Sequence, residues 1–263
     1  MTPPAAAPRQ IVSLWVGGAL GPIERLSLSS FVANGHPVAL YTYGEVRDVP
    51  DGVELRDAET IVPRALADAH RYPNGSYALV SNYFRFLLQR FGLGLWVDTD
   101  VVCLRPITLS GFVAGWESDV FVNGAVLGMD SSAPALNSLI TAYEGNRLPD
   151  WIPFHRAPLA WLQRQLDRPV PPYRQPHGTY GPKGITATCE QFSLLPYVQP
   201  TDVFYPLHPR NAESLYAPGG SLETLVTENT LTVHLWNEKL HDLKRTTPPR
   251  ESILGALLQR YQI

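Results

Sequence analysis

Asp98 and Asp100 interrupt an otherwise apolar run, "GLWVDTDVVCL" at positions 94–104. An ionised carboxylate is costly to bury without compensation, so the pair must reach water, meet cations or hold a metal. Along a strand, side chains two apart share a face, and Asp98 and Asp100 can then converge on one cation. Hard oxygen ligands favour Mg²⁺ or Mn²⁺. The pair also falls where a strand ends, and α/β sheets bind ligands beyond the carboxyl ends of their strands.

Three readings fit the pair. The plainest is a solvated turn in which a carboxylate caps backbone N–H groups. A second is a phosphohydrolase of the haloacid-dehalogenase type, whose apolar strand followed by Asp-x-Asp-x-Thr/Val fits "LWVDTDVV", with Asp98 as covalent nucleophile and Asp100 as acid/base. That chemistry needs a later acidic pair. The later aspartates, at 119, 130, 150, 167, 202 and 242, are neither adjacent nor four to five apart, which weighs against it. The third is nucleotide-sugar binding, with a cation bridging the carboxylates and a diphosphate.

The elements that must position the pair follow from periodicity. "QIVSLWVGG" reads as a strand ending in a glycine turn. "PIERLSLSSFVANG" reads as a helix with Pro22 in its first turn, and "HPVALYTYG" as a second strand. Strand–helix–strand at the start announces a parallel α/β sheet. "GVELRDAET" suggests a short third strand, with a helix near 63–70.

"SYALVSNYFRFLLQRFG" is the strongest helix, closed by Gly92. Val80, Phe84, Leu87, Leu88 and Phe91 form its apolar face, and Asn82, Arg85 and Gln89 lie on another. "DVFVNGAVLGM" reads as a hairpin turning at Asn123-Gly124. Helices are expected near 133–145 and 155–167, long ordered loops over 168–220, a late strand in "TLTVHLWNEKL" and a terminal helix in "ESILGALLQRYQ". Positions 1–9 read as a flexible leader, and 10–263 as one domain without internal repeats.

The 263 residues are 44% hydrophobic and 17% charged, enough to bury a sizeable core. The net charge is −3 and Lys and Arg are scattered, so no basic stripe suggests nucleic acid. Cys103 and Cys189, the two cysteines, form neither a disulfide framework nor a metal pattern, and Cys103 reads as a buried free thiol. Without a signal peptide or a spanning run, a cytoplasmic location is expected, with peripheral membrane contact left open. Oligomeric state is not legible. "WVGGALG" stands where a dinucleotide fingerprint would, but its Gly-x-Gly-x-x-Gly spacing is not met.

"SNYFRFLLQRFGLGLWVDTDVVCLRPI" resembles the core of glycosyltransferase family 32, whose pattern is Ser-Asp-x-x-Arg, a helix, then Gly-Gly-x-Tyr/Trp-x-Asp-x-Asp. "TYGPKGIT", "FYPL" and "VHLWN" resemble its α1,4-galactosyltransferase (globotriaosylceramide synthase-like) branch, and "LWVGG" the N-terminal Trp motif. The resemblance spans positions 11–240. It implies a GT-A fold, a Rossmann-like α/β domain with a mixed, mostly parallel sheet flanked by helices. It also implies a metal-dependent hexosyltransferase that retains anomeric configuration and draws on a nucleoside-diphosphate sugar, with UDP favoured. The acceptor would be a hydroxyl of a glycan or glycolipid, as in polysaccharide or glycolipid biosynthesis.

The resemblance places Trp15, with Val16 beside it, on the nucleobase. Asp98 meets the ribose and the metal, Asp100 is the main metal ligand and His234 the C-terminal one. The Trp236 indole N–H would donate to the diphosphate, and Arg85 would bind donor hydroxyls or phosphate oxygens. Asp98, Asp100 and Arg85 would carry the catalysis. Asn123 would touch the donor sugar, and Gly181-Pro182 would open a helix facing phosphates or acceptor. Two positions depart from the family pattern. Asn82 replaces the family's Asp, which removes a charge that would pair with Arg85 and motivates a non-catalytic, sugar-nucleotide-binding alternative. Leu93-Gly94 replaces Gly-Gly.

Overall fold

The computed structural model describes residues 8–72, 74–240 and 242–263. Six strands form a sheet in the order β3-β2-β1-β4-β7-β6. They are β1 (Ile11–Trp15), β2 (Val38–Thr42), β3 (Val53–Asp57), β4 (Leu95–Val97), β6 (Val113–Trp116) and β7 (Val122–Gly128). β1, β2, β3 and β4 run parallel, and β7 is antiparallel to both β4 and β6. This is the mostly parallel, Rossmann-like α/β sheet expected of a GT-A fold. Apolar layers cover both of its faces.

Helices α1 (Pro22–Ala33), α2 (Arg64–Ala69), α3 (Ala78–Arg90), α4 (Pro134–Glu144), α5 (Pro158–Gln165) and α8 (Ile253–Arg260) match the expected positions within a few residues. The 168–220 stretch is less irregular than expected. It holds α6 (Pro182–Gln191), the single turn α7 (Thr201–Phe204) and several 3-10 turns, because its prolines open helices rather than break them. Of the leader, residues 1–7 lie outside the described residues. Arg9 is anchored instead of flexible: its guanidinium donates to Leu109 O and its carbonyl meets His36 Nδ1.

α3 buries more than one face. Leu79, Val80, Phe84, Phe86 and Leu88 are in the core, but Phe91 is 55% exposed, since the helix ends at Arg90 and the chain turns away. Its polar stripe is also interior. Gln89 donates to Gly94 O (2.9 Å) and accepts from Met129 N–H (3.1 Å), tying the helix to the entry of β4 and the exit of β7. One helical turn earlier, Arg85 reaches the carboxyl end of β4.

β5 (Val101–Cys103) and β8 (Thr232–His234) form a separate antiparallel ribbon, with Val101 opposite His234. A polar stripe on α1 fastens it. Ser27 donates to Val101 O, Ser30 accepts from Cys103 N–H, and Asn34 donates to Cys103 O. Each such buried bond contributes about 0.5–1.5 kcal/mol net. Cys103 and Cys189 are free and buried, as the apolar setting of Cys103 predicts, and burial pushes both thiols up to about 12.

Of the family's Gly-Gly pair, only the second position needs glycine here. Gly94 has φ +146°, and a Cβ there would lie 2.6 Å from Gln10 O. Gly94→Ala is therefore expected to cost about 2–3 kcal/mol, while Gly18→Ala, which meets open space, stays within about 0.5 kcal/mol. Urea unfolding of the two variants checks this; equal midpoints would show that the turn tolerates a side chain.

Candidate active site

β4 ends at Val97, and Asp98 is the next residue. A tight turn follows, in which Val101 N–H donates to Asp98 O (3.2 Å). This turn brings the two carboxylates together. Strand alternation does not, because the pleat has stopped before Asp98.

Asp98 Oδ1 accepts two bonds, from Arg85 Nη2 (3.0 Å) and from Trp96 Nε1 (2.7 Å). Its Oδ2 accepts none among the described residues. Arg85 is only 7% exposed; it donates also to Gly124 O (2.7 Å) and lies over the Trp96 ring at 5.1 Å. With one N–H of Nη1 and one of Nη2 held by these partners, Arg85 orients Asp98. It also lines the cavity, where the sequence expectation has it meet donor hydroxyls or phosphate oxygens.

Asp100 joins the other side of the site. Its Oδ1 meets His234 Nε2 at 3.1 Å, its Oδ2 accepts from Asn237 N–H (2.9 Å), and its carbonyl accepts from Leu235 N–H (2.8 Å). Trp236, with φ +54°, turns the chain between those last two bonds. Asn237 also donates through Nδ2 to Glu24 Oε1 (3.1 Å), a carboxylate buried at the start of α1. Burial raises the Glu24 pKa, assisted by the nearby charge of Asp100.

Burial works against charge on Asp100 and His234 alike. Their mutual attraction overcomes it, holding the carboxyl below its ordinary value and the imidazole above. Asp98 and Glu117 add to the pull on His234. The ring is held from behind by Tyr205 (5.8 Å between centroids) and Trp236 (3.9 Å).

Asp98, Asp100 and His234 each offer a ligand atom, all within 4.8 Å of one another. The set fits a divalent cation on two grounds. Two ligands at right angles, each about 2.1 Å from an ion, stand about 3.0 Å apart, close to the Asp100–His234 spacing. Two carboxylates with one imidazole suit Mn²⁺ or Mg²⁺.

A cavity of about 920 Å³ opens over these groups. Asn82, Arg85, Asp98, Asp100, Asn123, Gly181, His234 and Trp236 all line it. Asn82 and Gly181 are neighbours on one wall, the Asn82 Oδ1 lying 3.6 Å from where a Gly181 Cβ would be. Gly181 precedes α6, as expected of a helix opening on the site. Trp15 and Val16 sit at the carboxyl end of β1 but do not line the cavity, and the buried Trp15 indole N–H has no partner among the described residues.

Two further expectations are corrected. The Trp236 indole N–H donates to Leu207 O (2.8 Å) and cannot serve a diphosphate without breaking that bond. Asn123 lies within β7 and not at a hairpin turn, which instead spans 117–121 and is closed by Glu117 N–H to Phe121 O. The Asn123 amide accepts from Ala125 N–H and donates to Glu117 Oε2 (2.5 Å).

Glu117 is a cavity residue that no sequence pattern marks. Burial raises its pKa, against the stabilising bond from Asn123. Asn237 was within reach of sequence reasoning, as the last residue of "VHLWN". Glu24 was not, since nothing in a helical heptad distinguishes it. Lys183, Arg210 and Lys239 supply positive charge on the cavity walls.

Residues 181–261 match a protein-family model, the alpha 1,4-glycosyltransferase conserved region. The chain is a glycosyltransferase of the hexosyl-transferring class. The matched segment holds α6, Tyr205, His234 and Asn237, and so supplies one side of the cavity. The Asp98–Asp100 turn comes from outside it. A search of curated proteins found no significant match.

The Trp236 assignment is open to a direct check. Trp236→Phe should lower stability by about 1–3 kcal/mol, because Leu207 O loses its buried donor, and leave nucleotide-sugar affinity within about twofold. Denaturant unfolding with donor calorimetry separates the two; a large affinity loss at unchanged stability would return the indole to the ligand.

Proposed function

We propose that the transferase moves a hexose from a nucleoside-diphosphate sugar, UDP-hexose above others, to a hydroxyl of a glycan or glycolipid. The reading has the reaction retain anomeric configuration and depend on Mn²⁺ or Mg²⁺. The observation that carries it is the convergence of Asp98, Asp100 and His234 at the base of a cavity walled by α6 of the conserved region.

In this reading Asp98 Oδ2, Asp100 and His234 hold the ion. When bound, it offsets the charge gathering on the leaving diphosphate. Arg85 and Trp96 keep the other Asp98 oxygen fixed, so that the ligand does not reorganise as charge develops. Lys183, Arg210 and Lys239 draw the phosphates into the cavity. The nucleobase, in this reading, extends beyond the cavity to stack on Trp15 at the carboxyl end of β1. Asn82 meets the sugar beside Gly181, and its neutral amide both accepts from and donates to hydroxyls. Glu117, steadied by Asn123, accepts a hydrogen bond from a sugar hydroxyl. The leaving diphosphate deprotonates the acceptor hydroxyl, so no protein base is assigned. A cytoplasmic, single-domain enzyme that meets its acceptor at a membrane surface is in keeping with this reading.

UDP-hexose hydrolysis, measured with and without Mn²⁺, tests it. Asp100→Ala should lower turnover at least 10²-fold, on the order of removing a key electrostatic group, and metal removal should do the same. Equal turnover in all three conditions would refute the proposal. A trapped acyl-phosphate on Asp98 would instead indicate a phosphohydrolase, and donor binding without transfer to any glycan a non-catalytic module.

The His234 proton competes with the ion. Because the imidazole pKa is raised, Mn²⁺ affinity is expected to climb with pH up to that raised value, by at most about tenfold per unit, and to level off above it. Calorimetric Mn²⁺ titrations from about pH 5.5 to 8.5 check the sign. A flat profile would remove His234 from the ligand set.

A further inference from the structure

Ten large apolar side chains are exposed among the described residues, and four of them cluster. Phe154 (55%), Leu159 (70%), Leu162 (50%) and Leu166 (56%) all fall on or beside α5. Leu159, Leu162 and Leu166 are three and four apart and share one helical face. The opposite face is satisfied: Ala157, Ala160 and Trp161 pack against Leu148, Ile152 and Val170. Phe154 stands edge-on to Trp161, with centroids 5.3 Å apart, next to the stripe. The leucines are thus not a fraying core. They are the outer surface of a small, complete cluster.

The charge around the stripe is one-sided. Residues 147–174 hold five arginines and two aspartates, in a chain whose net charge is −3. Both aspartates are already bonded, Asp150 to Arg164 and Asp167 to Arg147. Arg156, Arg168 and Arg174 are exposed, with no carboxylate partner among the described residues. An apolar helical face flanked by unneutralised arginines matches an anionic lipid surface, where leucines enter the acyl boundary and guanidinium groups meet phosphates.

We propose that α5 and its flanking arginines form a membrane-docking surface for anionic bilayers. The segment that carries it runs on to His177, which packs against Tyr72 (5.4 Å between centroids), and both residues line the active-site cavity. Docking would therefore bring the cavity to the bilayer, where a lipid-linked acceptor hydroxyl is found. Vesicle binding needs neither sugar nor ion, so the proposal stands or falls apart from the donor reading.

The full chain should co-sediment with vesicles of phosphatidylglycerol and phosphatidylcholine and not with pure phosphatidylcholine, and the binding should weaken with salt. Changing Leu159, Leu162 and Leu166 together to Gln should reduce partitioning at least tenfold. Arg156→Gln, Arg168→Gln and Arg174→Gln together should reduce it by a similar factor, about fivefold per charge at most. All six side chains are exposed, and unchanged thermal unfolding confirms the fold of each variant. Absence of binding to anionic vesicles, or undiminished binding by the leucine variant, overturns the proposal. So does a stripe-dependent dimer in sedimentation velocity, which would make a second copy of the chain the occupant.

Discussion

Asp100 is the point through which two remote parts of the chain are joined. Its carboxylate takes the His234 imidazole and the Asn237 N–H, and its carbonyl takes Leu235 N–H. These bonds extend the β5–β8 ribbon by one step and close it around the site. A carboxylate this enclosed is tolerable only with charge-assisted partners. The imidazole that compensates Asp100 in the protein alone is also the group proposed to share a cation with it. Removing Asp100 leaves the buried His234 imidazole without its carboxylate, and removing His234 takes the charged partner from Asp100, so the site's geometry and its local stability rest on the same contact.

A second network supports the other carboxylate from the opposite direction. Arg85 rises from α3, lies on Trp96 and donates to both Gly124 O and Asp98. A planar fork with several simultaneous partners loses little further freedom when it binds a carboxylate. The arginine's worth here is orientation. One oxygen of Asp98 is fixed from behind, which leaves the other facing the cavity. Asn82, one turn earlier on the same helix, stays at the wall beside Gly181 without a tie to Arg85, so the amide at that position does not disturb the Arg85–Asp98 pair.

Much of the fold was legible because local pattern and tertiary role agree. The strand–helix–strand opening, the long α3 and the helices near 133–145 and 155–167 follow from periodicity that packing then rewards. Elsewhere the pattern misled for identifiable reasons. Phe91 continues the apolar spacing of α3, but the helix stops one residue before it. Asn123-Gly124 has the composition of a hairpin turn, yet Gly124 lies within β7, where it leaves room for Ile185 and Arg85. The Trp236 indole has the chemistry to meet a phosphate, but the nearer Leu207 carbonyl takes it. Glu117 and Glu24 had no signature, since a lone glutamate acquires meaning only from what surrounds it.

What the sequence determined by itself is the class of sheet, the carboxylate pair at a strand's end and the kind of chemistry such residues perform. These are local properties of spacing and residue type. The tertiary structure alone decided that a turn, and not a pleat, converges Asp98 and Asp100, that His234 crosses 134 positions to meet them, and which polar groups are already spent on the protein. The reason is that a hydrogen bond is a competition among all neighbours within reach. That set of neighbours exists only once the chain has folded.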